Sequence, residues 1–154
     1  MSPDEIRSRV ARLDTRHAGD AEAAWAELRP LQEAVVPYLL EEYRRATRRE
    51  LRVVLVFHAI RFARTSEAAI TLGLAGLKDR VGLVRYRACG VLAYSLRHET
   101  LPELRGLLSH NDQRTVADAR VAIDAIEHQN HHLFVDRGHT GRVKWDVASS
   151  ATGV

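Results

Sequence analysis

The chain of 154 residues has few of the cysteines that crosslink small proteins and no long apolar run of the kind that spans a membrane. Its one cysteine, Cys89, excludes a disulfide within the chain and lies in an apolar stretch, where a buried and unreactive thiol is expected. No apolar run approaches the ~20 residues of a membrane span, and the start of the chain lacks the apolar core of a signal peptide. We therefore predict one cytoplasmic domain, 1–154, that folds without a disulfide or a metal.

The sequence also lacks the short motifs that carry most enzymatic chemistry. It has no Ser/His/Asp signature, no glycine-rich phosphate loop and no His-Glu-x-x-His zinc motif. His58 lies in the most apolar stretch of the chain, where a hydrogen-bonded core histidine is more typical than a catalytic base. These observations predict that the chain is not an enzyme and that it uses no cofactor.

Lysine is scarce, and nearly all of the positive charge comes from arginine. The net charge of +3 is compatible with nucleic-acid binding but does not argue for it. Six acids and one arginine lie between Asp20 and Glu42, whereas seven arginines and one acid lie between Arg44 and Arg64. Two interpretations stay open, since neighbouring helices can pair these charges or the segments can form opposed binding patches.

Apolar residues recur at helical spacing through most of the chain, and the pattern repeats. Shifting the chain by 32 or 33 residues brings Leu51-Arg52 onto Val84-Arg85 and Asp79 onto Asp112. A fixed period of this length with a helix–turn–helix unit is typical of an α-solenoid. We predict N-terminal helices in 2–30 and repeats in 32–129, with helix pairs near 32–46 and 48–63, 66–77 and 81–97, and 100–108 and 113–128.

The pattern changes after His128. Polar and apolar residues alternate in Arg142–Val147, and Gly138 and Gly141 precede that run. Alternation beside a glycine-containing turn predicts a β-hairpin. We expect a hairpin over 130–147 that caps the apolar face of the last helix, followed by a flexible tail over 148–154.

Four histidines gather in this C-terminal region, namely His128, His131, His132 and His139. Zinc needs about four ligands in a tetrahedral array, and the cluster offers no cysteine. We expect no metal site and predict that the histidines anchor the C-terminal segment to the last helix by hydrogen bonds. Asp136 is predicted to accept backbone N–H groups in the turn.

The segment from Leu77 to Ala93 resembles a HEAT-like repeat, because Asp79 stands in the turn and Val84-Arg85 begins the second helix. The resemblance covers 32–129. It implies an all-α fold, a HEAT-like α-solenoid of about three helix pairs plus N-terminal helices, to which we add the short C-terminal β-hairpin. It also implies a ladder of Asp and Arg side chains, which the other two units match only in part.

The segment from Asn130 to Val143 is similar to the ending of small bacterial HEAT-like proteins, some of which look like immunity or accessory proteins encoded beside toxins. This resemblance implies that the chain binds and neutralises a protein, a toxin in particular. Stacked helices offer a rigid concave surface that binds with little ordering cost. The predicted protein-binding residues are Arg45, Arg48, Arg49, Arg52, Tyr86, Arg87, Arg114 and Asp118.

Nucleic acid is the alternative partner, since arginines of the second helices would approach one surface. The chain then resembles helical-repeat DNA glycosylases, which need a catalytic acid and aromatic residues beside the damaged base. The candidates for those roles are Asp118, Asp124, Tyr86 and Tyr94. Nothing in their spacing defines a cleft, so protein binding is the preferred prediction, and we expect no membrane partner.

Overall fold

The computed structural model describes residues 1–147, and the predicted flexible tail, 148–154, lies outside the described residues. Residues 1–147 form helices joined by short loops, with no strand. None of these helices is both long and apolar enough to cross a membrane. The α-helices of this part are α1 (Pro3–Ala11), α2 (Ala18–Leu28), α3 (Val36–Arg45), α4 (Arg49–Ala59), α5 (Glu67–Gly76), α6 (Gly82–Ser95), α7 (Leu101–Gly106) and α8 (Gln113–Glu127). Short 3₁₀ segments are Arg29–Val35, Ile60–Phe62, His98–Thr100, Leu107–Ser109 and His131–Phe134.

Local capping chemistry sets where several helices begin. The Ser2 hydroxyl accepts a hydrogen bond from the Glu5 backbone N–H at 3.2 Å, and Pro3 occupies the first turn of α1. The Asp112 carboxylate accepts from the Arg114 backbone N–H at 3.1 Å at the start of α8. Such caps satisfy N–H groups that have no partner within the helix.

Consecutive helices pack as pairs, α3 with α4, α5 with α6 and α7 with α8. The second helices also pack on one another, because α6 contacts both α4 and α8. Helix α6 is the centre of the core, with every residue from Ala88 to Ser95 buried. The all-α class is therefore confirmed, while these stacked pairs do not by themselves establish a solenoid.

Two glycines allow α5 and α6 to approach closely. A Cβ atom at Gly76 would lie 2.8 Å from the Ala88 Cβ, and one at Gly73 would lie 2.9 Å from the Val91 Cγ1. Both distances are shorter than real Cβ contacts allow. A side chain at either position would push the two helices apart.

A buried arginine of α4 joins its helix pair to the next one. Arg52 donates from Nε to the Asp79 carboxylate at 2.9 Å and from Nη1 to the Thr47 carbonyl at 2.9 Å. The Tyr43 hydroxyl donates to the same carboxylate at 2.7 Å. Burial alone would raise the pKa of Asp79, but the hydrogen bonds from Arg52, Tyr43 and the Val81 N–H hold that pKa below its usual value.

The same arrangement recurs one unit later. Arg85 of α6 donates to the Asp112 carboxylate at 3.0 Å, to the Thr115 hydroxyl at 2.9 Å and to the Asp79 carbonyl at 2.9 Å. Each arginine reaches an aspartate 27 residues further along the chain. The structure thus contains two rungs of the Asp–Arg ladder.

The predicted β-hairpin over 130–147 is wrong. The Asp136 carboxylate accepts hydrogen bonds from the Thr140 N–H at 3.0 Å and the Gly141 N–H at 2.8 Å, which curls the chain into a compact loop. The Trp145 N–H donates to His132 Nδ1 at 2.8 Å, and its carbonyl accepts from His131 Nε2 at 2.7 Å. These side chains satisfy backbone groups that a second strand would otherwise have paired.

The loop nevertheless covers the core, as the capping prediction required. Phe134 and Val147 are buried, and the rings of Phe134 and Trp145 lie 5.2 Å apart over Gly90 of α6. His139 pairs with Asp124 of α8. The predicted role of the Asp136 carboxylate is confirmed. Of the histidines, His139 anchors the loop to α8, whereas His131 and His132 bind the Trp145 backbone within the C-terminal segment.

We expect Arg85→Ala to lower the free energy of unfolding by about 1–3 kcal/mol, because three buried or half-buried acceptors lose their donor. Chemical denaturation measures this difference. Arg114→Ala is the matched control, since Arg114 is exposed, and it should stay within about 0.5 kcal/mol of the wild type. Equal stabilities of the two variants would show that the ladder does not stabilise the fold.

We expect Trp145→Ala to lower the free energy of unfolding by about 2 kcal/mol or more, because its half-buried ring packs on Phe134 and Tyr94. Val143→Ala is the control, since Val143 is 45% exposed. Thermal melting compares the two. An unchanged melting temperature for Trp145→Ala would mean that the C-terminal segment is a free arm and not a cap.

Candidate functional site

A groove runs across the face that α2, α4, α6 and α8 share. It consists of three adjoining pockets, since Phe57 and Arg87 line both the first and the second, and Tyr86 lines both the second and the third. The first, called the indole pocket, has a volume of about 310 Å³ and lies between α2 and α4. The second, of about 80 Å³, reaches Trp145, and the third, of about 680 Å³, lies between α6 and α8.

A stacked pair of rings forms the floor of the indole pocket. Trp25 of α2 and His58 of α4 lie with ring centroids 3.7 Å apart and planes 8° apart. Burial lowers the pKa of His58 to about 3, and the positive charges of Arg61 and Arg29 add to this effect. His58 is therefore neutral at physiological pH and acts as an aromatic surface.

Arg87 of α6 lies at the junction of the first two pockets. Its guanidinium carbon is 4.7 Å from the centroid of the Phe57 ring and 5.4 Å from that of Tyr86, which are cation–π distances. Its Nε is buried and has no hydrogen-bond acceptor in residues 1–147. No carboxylate of that range forms an ion pair with the Arg87 guanidinium either.

The far end of the groove is more polar. Leu83 projects from α6 with 50% of its surface exposed and lines the third pocket. Asp118 of α8 pairs with Arg137 at 2.9 Å, and the exposed Arg114 lies on the same wall. The groove thus passes from apolar and aromatic surface to a paired acid and base.

The structure separates the predicted binding residues into two groups. Tyr86, Arg87, Arg114 and Asp118 line the groove. The others do not line it, and three of these are engaged elsewhere, as the following ion pairs show: Arg45–Glu42 at 2.7 Å, Arg48–Asp14 at 2.5 Å and Arg52–Asp79 at 2.9 Å. Arg49 is exposed.

Sequence reasoning missed the apolar half of the groove. Trp25, Val53, Phe57 and His58 line the indole pocket, and Leu83 lines the third. One signal was present, since α4 is apolar on more faces than its neighbours can cover. The ring stack itself joins helices that are distant in sequence, so spacing could not reveal it.

The candidates for DNA repair do not form one cleft. Asp118 is paired with Arg137, and Asp124 binds His128 and His139. Tyr94 is buried in the core. In the described part of the chain no three His, Cys, Asp or Glu residues are grouped so that they could hold a metal ion.

No family model, curated protein or solved structure matches the chain. What the groove can bind is therefore inferred from its own side chains.

We expect His58 to make the protein less stable in acid. Its pKa is about 3 in the folded state and near 6.5 when unfolded, so only the unfolded state binds this proton between those values. Stability is retained above about pH 6.5 and falls, by at most about 1.4 kcal/mol per pH unit, as the pH drops towards 3.

His58→Phe keeps a ring against Trp25 but removes the titratable imidazole. The unfolding free energy should therefore fall less steeply as the pH is lowered. Denaturant titrations between pH 4 and 7 measure it (about the window of the shift). His17→Phe, at an exposed position, is the matched control. The same slope in the wild type and in both variants would contradict the burial of a neutral imidazole.

Proposed function

We propose that the chain is a protein-binding module and that its partner docks in the groove. One observation carries the proposal: half-exposed aromatic and aliphatic side chains surround an arginine that no described residue pairs. The cores of protein interfaces are enriched in aromatic residues and arginine and depleted in lysine and glutamate. The groove has this composition.

The rigidity of the groove supports the proposal. Its walls are helices, and the ladder residues Arg52 and Arg85 tie α4 and α6 to the units that follow. A preformed surface loses little conformational entropy when a partner binds. The contacts of a few central side chains then contribute to affinity without being offset by the cost of ordering the groove.

The distribution of arginine favours protein over nucleic acid. A nucleic-acid site needs a stripe of basic side chains that are free to meet phosphates. Arg48, Arg52 and Arg85 are instead paired with carboxylates of the chain. These three arginines of the predicted surface are therefore not free to meet phosphates.

The proposal includes a finer role, the neutralisation of a toxin in the bacterial cytoplasm. The resemblance of the C-terminal segment to immunity-type proteins supports the toxin. The absence of any disulfide from residues 1–147, whose single cysteine, Cys89, is free and buried, is compatible with a reducing compartment.

Affinity capture from lysates of the native host tests the proposal with a matched pair of variants. Leu83→Glu places a charge on the groove wall, whereas Leu108→Glu places the same charge at another exposed leucine, in the Leu107–Ser109 turn. Both leucines are partly in solvent, at 50% and 39% exposure, so both variants should fold. We expect the wild type and Leu108→Glu to retain one protein that Leu83→Glu loses.

Two results would contradict the proposal. Capture that both variants weaken equally would place the binding site outside the groove. Capture that disappears after nuclease treatment would favour the nucleic-acid alternative. If a protein is captured as expected, co-expression tests whether the chain suppresses its toxicity.

A further inference from the structure

We infer that the groove recognises an acidic–apolar segment of its partner, with a large apolar side chain in the indole pocket and a neighbouring carboxylate on Arg87. The inference rests on the proposed function and adds the chemistry of the partner. It is drawn from the junction at Arg87, where the apolar pocket and the guanidinium meet.

The apolar half of the inference follows from the lining of the indole pocket. Trp25 and His58 form its floor, and Val53, Val54 and Phe57 form its wall. Its volume of about 310 Å³ lies at the small end of the range for ligand pockets, about 300–1,000 Å³. One large aliphatic or aromatic side chain suits this space.

The charged half follows from Arg87. The rings of Phe57 and Tyr86 hold its guanidinium in place, while its buried Nε–H has no acceptor in the described part of the chain. Arg87 as a whole is only half-buried and lines the pocket, so the part of its guanidinium that faces the pocket can donate to a partner's acceptor. A carboxylate is the acceptor that fits best, because its two oxygens match the planar fork of a guanidinium.

The charged side chains around the indole pocket also favour a negatively charged partner. The positive charge of Arg29 acts on His58, so its field reaches the pocket floor. The Nε of Arg29 also has no acceptor in residues 1–147. Glu22 lines the pocket as well, but no ion pair joins it to Arg87. An acidic partner is attracted here by Arg87 and Arg29, whereas a basic partner would be repelled by them.

A library of random peptides displayed on phage tests the inference without knowledge of the partner. It is selected on the wild type, on Arg87→Gln and on Arg105→Gln, a matched control because Arg105 is an exposed arginine of α7 that does not line the groove. We expect peptides from the wild type and the control to carry Asp or Glu beside a large apolar residue. Selection on Arg87→Gln should lose the acid and keep the apolar residue.

Fluorescence anisotropy with one selected peptide then measures the contact. Replacing the peptide's acid by its amide should weaken binding to the wild type about tenfold or more, and should not weaken binding to Arg87→Gln further. The peptide substitution needs no change in the protein, so it remains informative if Arg87→Gln is unstable. Arg87→Lys, which keeps the charge but not the fork, should fall between the two.

Several results would overturn the inference. They are selected peptides without acids, an acid preference that persists in Arg87→Gln, peptides rich in lysine or arginine, and the absence of any selected peptide. Dimerisation of the free chain that Arg87→Gln abolishes would instead identify a second copy as the occupant. In any of these cases, a protein that the wild type and Leu108→Glu still capture and Leu83→Glu loses would show that the groove binds protein by other chemistry. Only the inference about the acidic–apolar segment would then fail.

Discussion

The rest of the structure depends on two buried guanidinium groups and the aspartates that receive them. Arg52 and Arg85 leave water almost completely, and each is satisfied by a carboxylate that stands just before or at the cap of a later helix. A buried arginine without such acceptors would be costly, so the contact sets the position of α6 relative to α4 and of α8 relative to α6. The tight approach of α5 to α6 at Gly73 and Gly76 completes this alignment.

The groove is a product of that alignment. Once α4, α6 and α8 lie side by side, the surfaces that they do not bury against α3, α5 and α7 form one continuous face. On that face Arg87 contrasts with the ladder arginines. It has the same chemistry and lies two residues after Arg85, yet its guanidinium lies against the rings of Phe57 and Tyr86 and forms no ion pair within residues 1–147. Arg52 and Arg85 therefore hold the fold, whereas Arg87 is proposed to bind a partner.

Periodic patterns and local turn signals could be read from the sequence, whereas features that depend on tertiary contacts could not. The repeat of Leu51-Arg52 at Val84-Arg85 predicted the helix pairs, and Asp136 was correctly predicted to accept backbone N–H groups in its loop. The alternation in Arg142–Val147 resembled a strand, but the backbone N–H and carbonyl of Trp145 bond to the imidazoles of His132 and His131 instead of to another strand. The predicted site mixed structural arginines such as Arg52 with groove residues such as Arg87, because exposure and pairing are properties of the fold.

The two tryptophans of the chain lie in adjoining pockets of the groove, Trp25 in the indole pocket and Trp145 in the next. Indole emission depends on the polarity and the ring contacts of its surroundings. Trp25 lies against a neutral imidazole, and Trp145 lies against Phe134 and Tyr94. The molecule thus contains two native optical probes, so that occupancy of the groove can be followed in solution without attaching a dye.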